Sequence, residues 1–235
     1  MIEIRNVTKR FGPAPAPSEA PGTRINALND VSLTIQDSRV TAIKGPNGSG
    51  KTTLLTVIGG MAKPTSGRVF IDGREITSLS ERFLSGVRRQ YFGFIFQDYN
   101  LIRGISVIEN VMVPAYPTGK KPRHIRDNAM ALLEKMDIAH KAGQKVEQLS
   151  GGEQQKVTIA RSLINDPRII IADEPTSHLY SDAIEQFLAT VAALVADGKR
   201  IIFSTHNPYL FESDMVDRCI ELKDGRIVEE RRKPN

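Results

Sequence analysis

Apolar and polar positions alternate at the start of the chain, with Ile2 and Ile4 on one face and Val7 closing the run, which predicts a strand. Val31, Leu33 and Ile35 alternate with Ser32 and Thr34 and predict a second, half-buried strand. Val40–Ile43 is a third, and it runs directly into a glycine-rich segment. Beyond that segment a helix is predicted over Thr53–Met61, stopped by Lys63-Pro64. Gly67–Gly73 reads as a strand ending in the turn Asp72-Gly73. From Arg82 to Asn165 the pattern is mostly helical, apart from a strand over Tyr91–Phe96. Apolar residues at 125, 129, 132, 133 and 136 predict a helix over Ile125–Met136, with Thr118–Arg123 before it as a loop.

After Asn165 strands and helices alternate. Strands are predicted over Ile169–Ala172, Arg200–Ser204, Arg218–Leu222 and Arg226–Val228, with a helix over Asp182–Ala196. Such alternation argues for an α/β fold with a largely parallel core sheet. The run Gly12–Gly22 has proline at every second position for part of its length, which excludes helix and ladder and predicts an extended loop.

Composition narrows the picture. The chain has 235 residues, 40% hydrophobic and 25% charged, so it suits one large domain or a core with an inserted lobe. Net charge is +5, a mild excess that suits nucleotide phosphates or an anionic surface, and no long Lys/Arg stripe points to nucleic acid. The single cysteine, Cys219, excludes an internal disulfide and a cysteine-based zinc site, and its apolar surroundings read as core. The opening residues lack the shape of a signal peptide, and no apolar run approaches the ~18 residues of a membrane span. The expectation is a cytoplasmic protein whose membrane role, if it has one, requires a partner.

Two segments carry chemistry. Gly45, Pro46, Asn47, Gly48, Ser49, Gly50, Lys51 and Thr52 fit G-x-x-x-x-G-K-[ST], between a strand and a helix that begins with Thr53. Glycines let the backbone wrap an oxyanion, its N–H groups and the helix N-terminus present positive charge, and Lys51 adds a full one. The Thr52 hydroxyl suits Mg²⁺, a hard cation. This is a phosphate cradle. The second segment is the apolar strand ending in Asp173-Glu174. Ligands of open α/β sheets lie at strand carboxyl ends, so Asp173 is placed to hold Mg²⁺ and Glu174 to accept a proton from attacking water. His206 follows another apolar strand and is placed to reach the same crevice.

Leu149-Ser150-Gly151-Gly152-Glu153, continuing through Arg161, resembles the signature sequence of ABC ATPases. Together with the cradle, Gln97, Asp173-Glu174 and His206, the motifs stand in that family's order over nearly the whole chain. The resemblance implies one ABC-type cassette over 1–235. It would have a mostly parallel core sheet, a small antiparallel β subdomain and a helical subdomain inserted at about 98–160. It implies a head-to-tail pair of subunits with two ATP molecules between them. Each ATP would lie between the cradle of one subunit and Ser150, Gly151 and Gly152 of the other. Gln97 would approach Mg²⁺ and the attacking water, His206 would bond the γ-phosphate, and Phe11 would stack on adenine. The segments Gly93–Leu101, Ser106–Val111 and Ile220–Ile227 are similar to the branch containing lipoprotein-release, macrolide-export and cell-division ATPases. Members of that branch work with a separate membrane subunit and transmit force.

Two other readings stay open: a soluble ABC ATPase of a cofactor-assembly system, and an ATP-dependent regulator of a membrane protein that moves no substrate. One departure bears on the latter. Ser177-His178-Leu179 is followed by Tyr180, where the family usually has the aspartate that communicates across the dimer. Hydrolysis is expected to survive with altered cooperativity, and Tyr180→Asp is expected to change the Hill coefficient for ATP. An unchanged rate and Hill coefficient would contradict this.

Overall fold

The computed structural model describes residues 1–12, 25–177 and 181–233. Most of the proline run and Tyr180 lie outside them, as does the side chain of Asp182. In chain order the elements are β1 (Ile2–Phe11), β2 (Ile25–Ile35), β3 (Val40–Lys44), α1 (Lys51–Ile58), β4 (Ser66–Ile71), β5 (Arg74–Glu75), α2 (Glu81–Tyr91) and β6 (Phe92–Ile95). There follow α3 (Val107–Met112), α4 (Pro122–Lys135), α5 (Gly151–Leu163), β7 (Ile169–Asp173), α6 (Ser181–Ala196), β8 (Arg200–Thr205), α7 (Pro208–Phe211), β9 (Arg218–Lys223) and β10 (Arg226–Arg232). The chain forms two compact units, Met1–Gly86 with Ile202–Asn235, and Val87–Ile201.

The first unit holds an antiparallel sheet in the order β2-β1-β4-β5. β1 outlasts the run Ile2–Val7 that alternation predicts. A register shift between Ile4 and Val7 places Val7 and Thr8 both inside, so the pattern breaks while the ladder continues. Asn6 and Asp30 take left-handed backbone conformations at this irregularity, and Asn6 Nδ2 donates to Asp30 Oδ1 at 3.1 Å. A second row of strands, β10-β9-β3-β8, pairs β3 with β9 in parallel and β9 with β10 antiparallel. Val40, Ala42 and Ile43 are buried, so β3 is held as it delivers the glycine-rich segment.

α1 covers Lys51–Ile58, two residues earlier than the helix predicted from Thr53 and three shorter at its end. The stop is Gly59-Gly60 rather than Lys63-Pro64. Gly60 has φ 65°, its N–H donates to Val57 O at 3.1 Å and that of Met61 to Thr56 O at 2.8 Å, which closes the last turn.

In the second unit β6 and β7 pair in parallel. A helical core packs Val107, Val111, Leu133, Ile138, Val157 and Ile164 from α3, α4, α5 and the segments between them. α4 begins at Pro122, inside the predicted loop, because proline is suited to a helix's first position, where its missing N–H costs nothing. Among the described residues no helix is long and apolar enough to cross a membrane. Cys219 is half-buried rather than fully core, and burial pushes its thiol up from the ordinary value.

Candidate functional site

The first unit carries the cradle. β3 ends at Lys44 and α1 begins at Lys51, with Gly45–Gly50 wrapped between them. A Cβ on Gly45, at φ 151°, would lie 2.1 Å from Leu222 O, and one on Gly50, at φ 102°, 2.2 Å from Ala27 O. These glycines are demanded by contact and backbone together. Gly48 has φ 78° with open space where its Cβ would be, so conformation alone selects it. Gly50 caps α1 with no side-chain hydrogen bond, leaving the first N–H groups of the helix to point along the loop. Lys51 is 6% exposed and folds back over the loop, donating from Nζ to Gly45 O at 2.9 Å and Pro46 O at 3.2 Å. Ser49 Oγ is buried with no hydrogen-bond partner among the described residues. A buried hydroxyl without a partner, in a glycine-rich loop that opens a helix, fits an oxyanion ligand.

His206 is exposed directly after β8. Thr205 Oγ1 accepts from Asn207 N at 3.0 Å, and Asn207 Oδ1 caps α7 by accepting from Tyr209 N at 3.0 Å, so both neighbours of the imidazole are fixed. Phe11 ends β1 and is 48% exposed, with Lys9 Nζ 5.1 Å from the centre of its ring. An exposed ring beside a cation offers a flat face.

The second unit carries the other candidates. Asp173 ends β7, and Glu174 follows at φ 42°, 8% exposed. A left-handed glutamate costs of order 1–3 kcal/mol, and such backbone persists where its surroundings over-determine it. Those surroundings include Gln155 of α5, itself buried, whose Nε2 donates to Pro175 O at 2.7 Å. Gln97 lies exposed just beyond β6. After it, Tyr99 and Asn100 take φ 58° and 48°. Arg161 of α5 holds both, donating to Tyr99 O at 2.6 Å and Asn100 O at 2.5 Å. Burial lowers the Arg161 guanidinium to about 10, so it stays charged at neutral pH. Asn110, fully buried, brackets Ile102, two residues beyond Asn100: its Oδ1 accepts from Ile102 N at 2.7 Å and its Nδ2 donates to Ile102 O at 3.1 Å. The loop after Gln97 is thus fixed from α3 and α5.

Ser150, Gly151 and Gly152 form the N-terminal turn of α5. Ser150 and Glu153 make a capping box. Ser150 N donates to Glu153 Oε2 at 2.8 Å, and Glu153 N donates to Ser150 Oγ at 3.4 Å. A Cβ on Gly151 would lie 3.3 Å from Tyr99 Oη, whereas one on Gly152 would meet nothing within 4 Å. The chain's own packing therefore does not require glycine at 152.

Lys141 forms an ion pair with Glu153 Oε1. This pair, followed by the Ser150 N–H and hydroxyl, holds the Glu153 carboxyl at about 2, against an ordinary 4.5. Because the folded value is depressed, the stability it contributes is complete above about pH 4.5 and is lost as pH falls toward about 2. Glu153→Gln cannot titrate, so its urea midpoint is expected to fall less than that of the parent chain across this window. Parallel pH profiles for the two would contradict the assignment.

The structure brings Gly45–Thr53 together in the first unit, which also carries His206 and Phe11, and Gln97, Asp173, Glu174 and the Ser150 turn belong to the second. Sequence reading missed Arg161, Gln155, Asn110 and Lys141. Three of them act on backbone carbonyls, and Arg161 lies 62 residues from the Tyr99 carbonyl it holds. No spacing signal exists for such contacts, although the Ser150–Glu153 spacing is a readable capping box.

A strand, a glycine-rich loop with a buried lysine and an opening helix define a P-loop protein. Comparison with known proteins extends this. The sequence pattern of the ABC transporter family matches residues 28–177. The macrolide export ATP-binding/permease protein MacB of Rhodospirillum rubrum is 41% identical over all of this chain, which spans 35% of that protein's length. The MacB protein of Vibrio parahaemolyticus is 37% identical over 97% of the chain, again spanning 34% of the relative. Among solved structures, the dimeric ATP-binding cassette MJ0796 in a post-hydrolysis state with ADP and Pi is 36% identical. It matches with a TM-score of 0.88 and full coverage of both chains. The cbiO1 protein of Clostridium perfringens, part of the ABC transporter complex cbiONQ, is 28% identical. Its TM-score is 0.80, over 97% of this chain and 87% of that one. The chain therefore belongs to the ABC transporter family, as an ATP-binding cassette with the α/β P-loop ATPase fold.

Proposed function

We propose that the chain binds and hydrolyses ATP with Mg²⁺, pairs with a second cassette around two ATP molecules, and drives a conformational change in a membrane subunit. The observation that carries this is the presence of two glycine-rich helix N-termini, one on each compact unit, of which only the first begins its helix with a lysine. The open space at Gly152 supports a ligand from outside the chain at the second. A cradle and a lid on one chain, each incomplete, make ATP the adhesive between two chains.

In this reading the N–H groups of Gly45–Thr53 and Lys51 hold the β- and γ-phosphates, and Phe11 stacks on adenine. Thr52, Asp173 and Gln97 would hold Mg²⁺, which would neutralise phosphate charge. Among the described residues no three His, Cys, Asp or Glu side chains cluster as a metal cage. Such a cage is not needed, since Mg²⁺ takes few protein ligands, with waters and phosphate completing its shell. Water attacks the γ-phosphorus as the bond to the β-phosphate oxygen breaks, and Glu174 accepts the proton. His206 donates an N–H to a γ-phosphate oxygen. Loss of that phosphate removes what Ser150, Gly151 and Gly152 of the other chain grip, and the pair opens.

We read 1–235 as a single cassette with a helical lobe at about 98–160, lying on the cytoplasmic face of a membrane through its partner, with identical subunits in the ATP-bound pair and no nucleic-acid partner. Affinity purification of the tagged chain from detergent-solubilised membranes, with mass spectrometry of the retained proteins, tests the membrane assignment. A stoichiometric membrane subunit is expected. Retention of a soluble assembly factor alone would overturn the membrane role while leaving the ATP chemistry standing.

A further inference from the structure

The turn Ser150-Gly151-Gly152 carries an acid. Ser150 has one hydroxyl proton and donates it to Glu153 Oε2 at 2.9 Å, the oxygen that also accepts from Ser150 N at 2.8 Å. A full negative charge thus stands one hydrogen bond from the serine proposed to meet a polyphosphate. The carboxyl's other oxygen is taken by Lys141, at the end of the 3₁₀ turn Ala139–Lys141. Both side chains are sheltered, at 23% and 28% exposure, so screening of the pair by solvent is incomplete. Ser150, Gly151 and Gly152 themselves carry no cationic side chain, so what they offer the nucleotide is N–H groups at a helix N-terminus, which an uncompensated carboxylate would oppose.

We infer that Lys141 is a positioning residue for the nucleotide of the second subunit: it supplies the counter-charge without which the Glu153 carboxylate would repel that nucleotide. The inference rests on the proposed ATP-bound pair. A neutral glutamine at 153 would keep the acceptor for Ser150 and would remove the need for the cation.

The test measures the ATP concentration that gives half-maximal dimer by light scattering, in chains carrying Glu174→Gln to stop hydrolysis. Adding Lys141→Met is expected to raise that concentration about tenfold or more, whereas Lys141→Arg keeps the charge and changes it by less than about threefold. Adding Glu153→Gln to Lys141→Met is expected to bring it back to within about threefold of the parent. Binding of a fluorescent ATP analogue to the single chain is expected to be unchanged throughout, since the cradle belongs to the other unit. The inference is overturned if Lys141→Met dimerises like the parent, or if Glu153→Gln fails to restore it, because the loss would then belong to packing. Should Lys141→Met fail to fold, Glu153→Gln alone decides: it is expected to dimerise at an equal or lower ATP concentration, and a higher one overturns the inference. A parent chain that binds ATP and stays single overturns the pair itself and this inference with it.

Discussion

Glu174→Gln is expected to slow ATP hydrolysis by ~10²–10⁴-fold while leaving ATP binding intact. Glu174 is buried directly after β7, on backbone held in a left-handed conformation. Glutamine has the same shape and keeps an acceptor oxygen, so the turn and its neighbours are retained. In the proposed mechanism, what it loses is the capacity to take the proton that leaves the attacking water. With binding intact and chemistry blocked, the ATP-bound state accumulates. Steady-state phosphate release and equilibrium ATP binding, measured on the same preparation, check both halves. A variant that hydrolyses like the parent removes Glu174 from its role.

Lys51→Ala is expected to weaken ATP binding by about two orders of magnitude, the scale for truncating one member of a buried, hydrogen-bonded charge pair. Lys51 Nζ lies over the loop, bonded to the carbonyls of Gly45 and Pro46, where an incoming phosphate would exchange those neutral acceptors for charged oxygens. Alanine keeps the helix, since it is its best former, so the loss is of charge rather than of structure. Titration calorimetry with ATP checks it, and an affinity equal to the parent's would argue against the cradle.

What was legible in the sequence is what is local. The cradle is eight consecutive residues, three of which, Gly45, Gly48 and Gly50, are required to be glycine by contact or conformation, and the acid pair stands at the end of an apolar strand. The strand β1 and the helix α1 were placed but mis-bounded. The bulge near Asn6 hides the continuation of β1 from a period-two pattern, and Gly59-Gly60 stops α1 by a left-handed turn before the proline is reached. The framework of the second unit was not legible. Arg161 selects the carbonyls of Tyr99 and Asn100, and every residue has a carbonyl, so no side-chain pattern announces the contact. Asn110 is likewise an ordinary polar residue until its burial against Ile102 is seen. Lys141 sits only 12 residues from Glu153, but a loop and a 3₁₀ turn separate them and no helical period connects them.

ATP joining two chains is the central step of the proposed function. The most direct measurement is the mass in solution, by light scattering, of the chain carrying Glu174→Gln, alone, with ADP and with ATP. The expected mass is 26.0 kDa alone and with ADP, and twice that with ATP. A mass that stays at 26.0 kDa while ATP is demonstrably bound would contradict it.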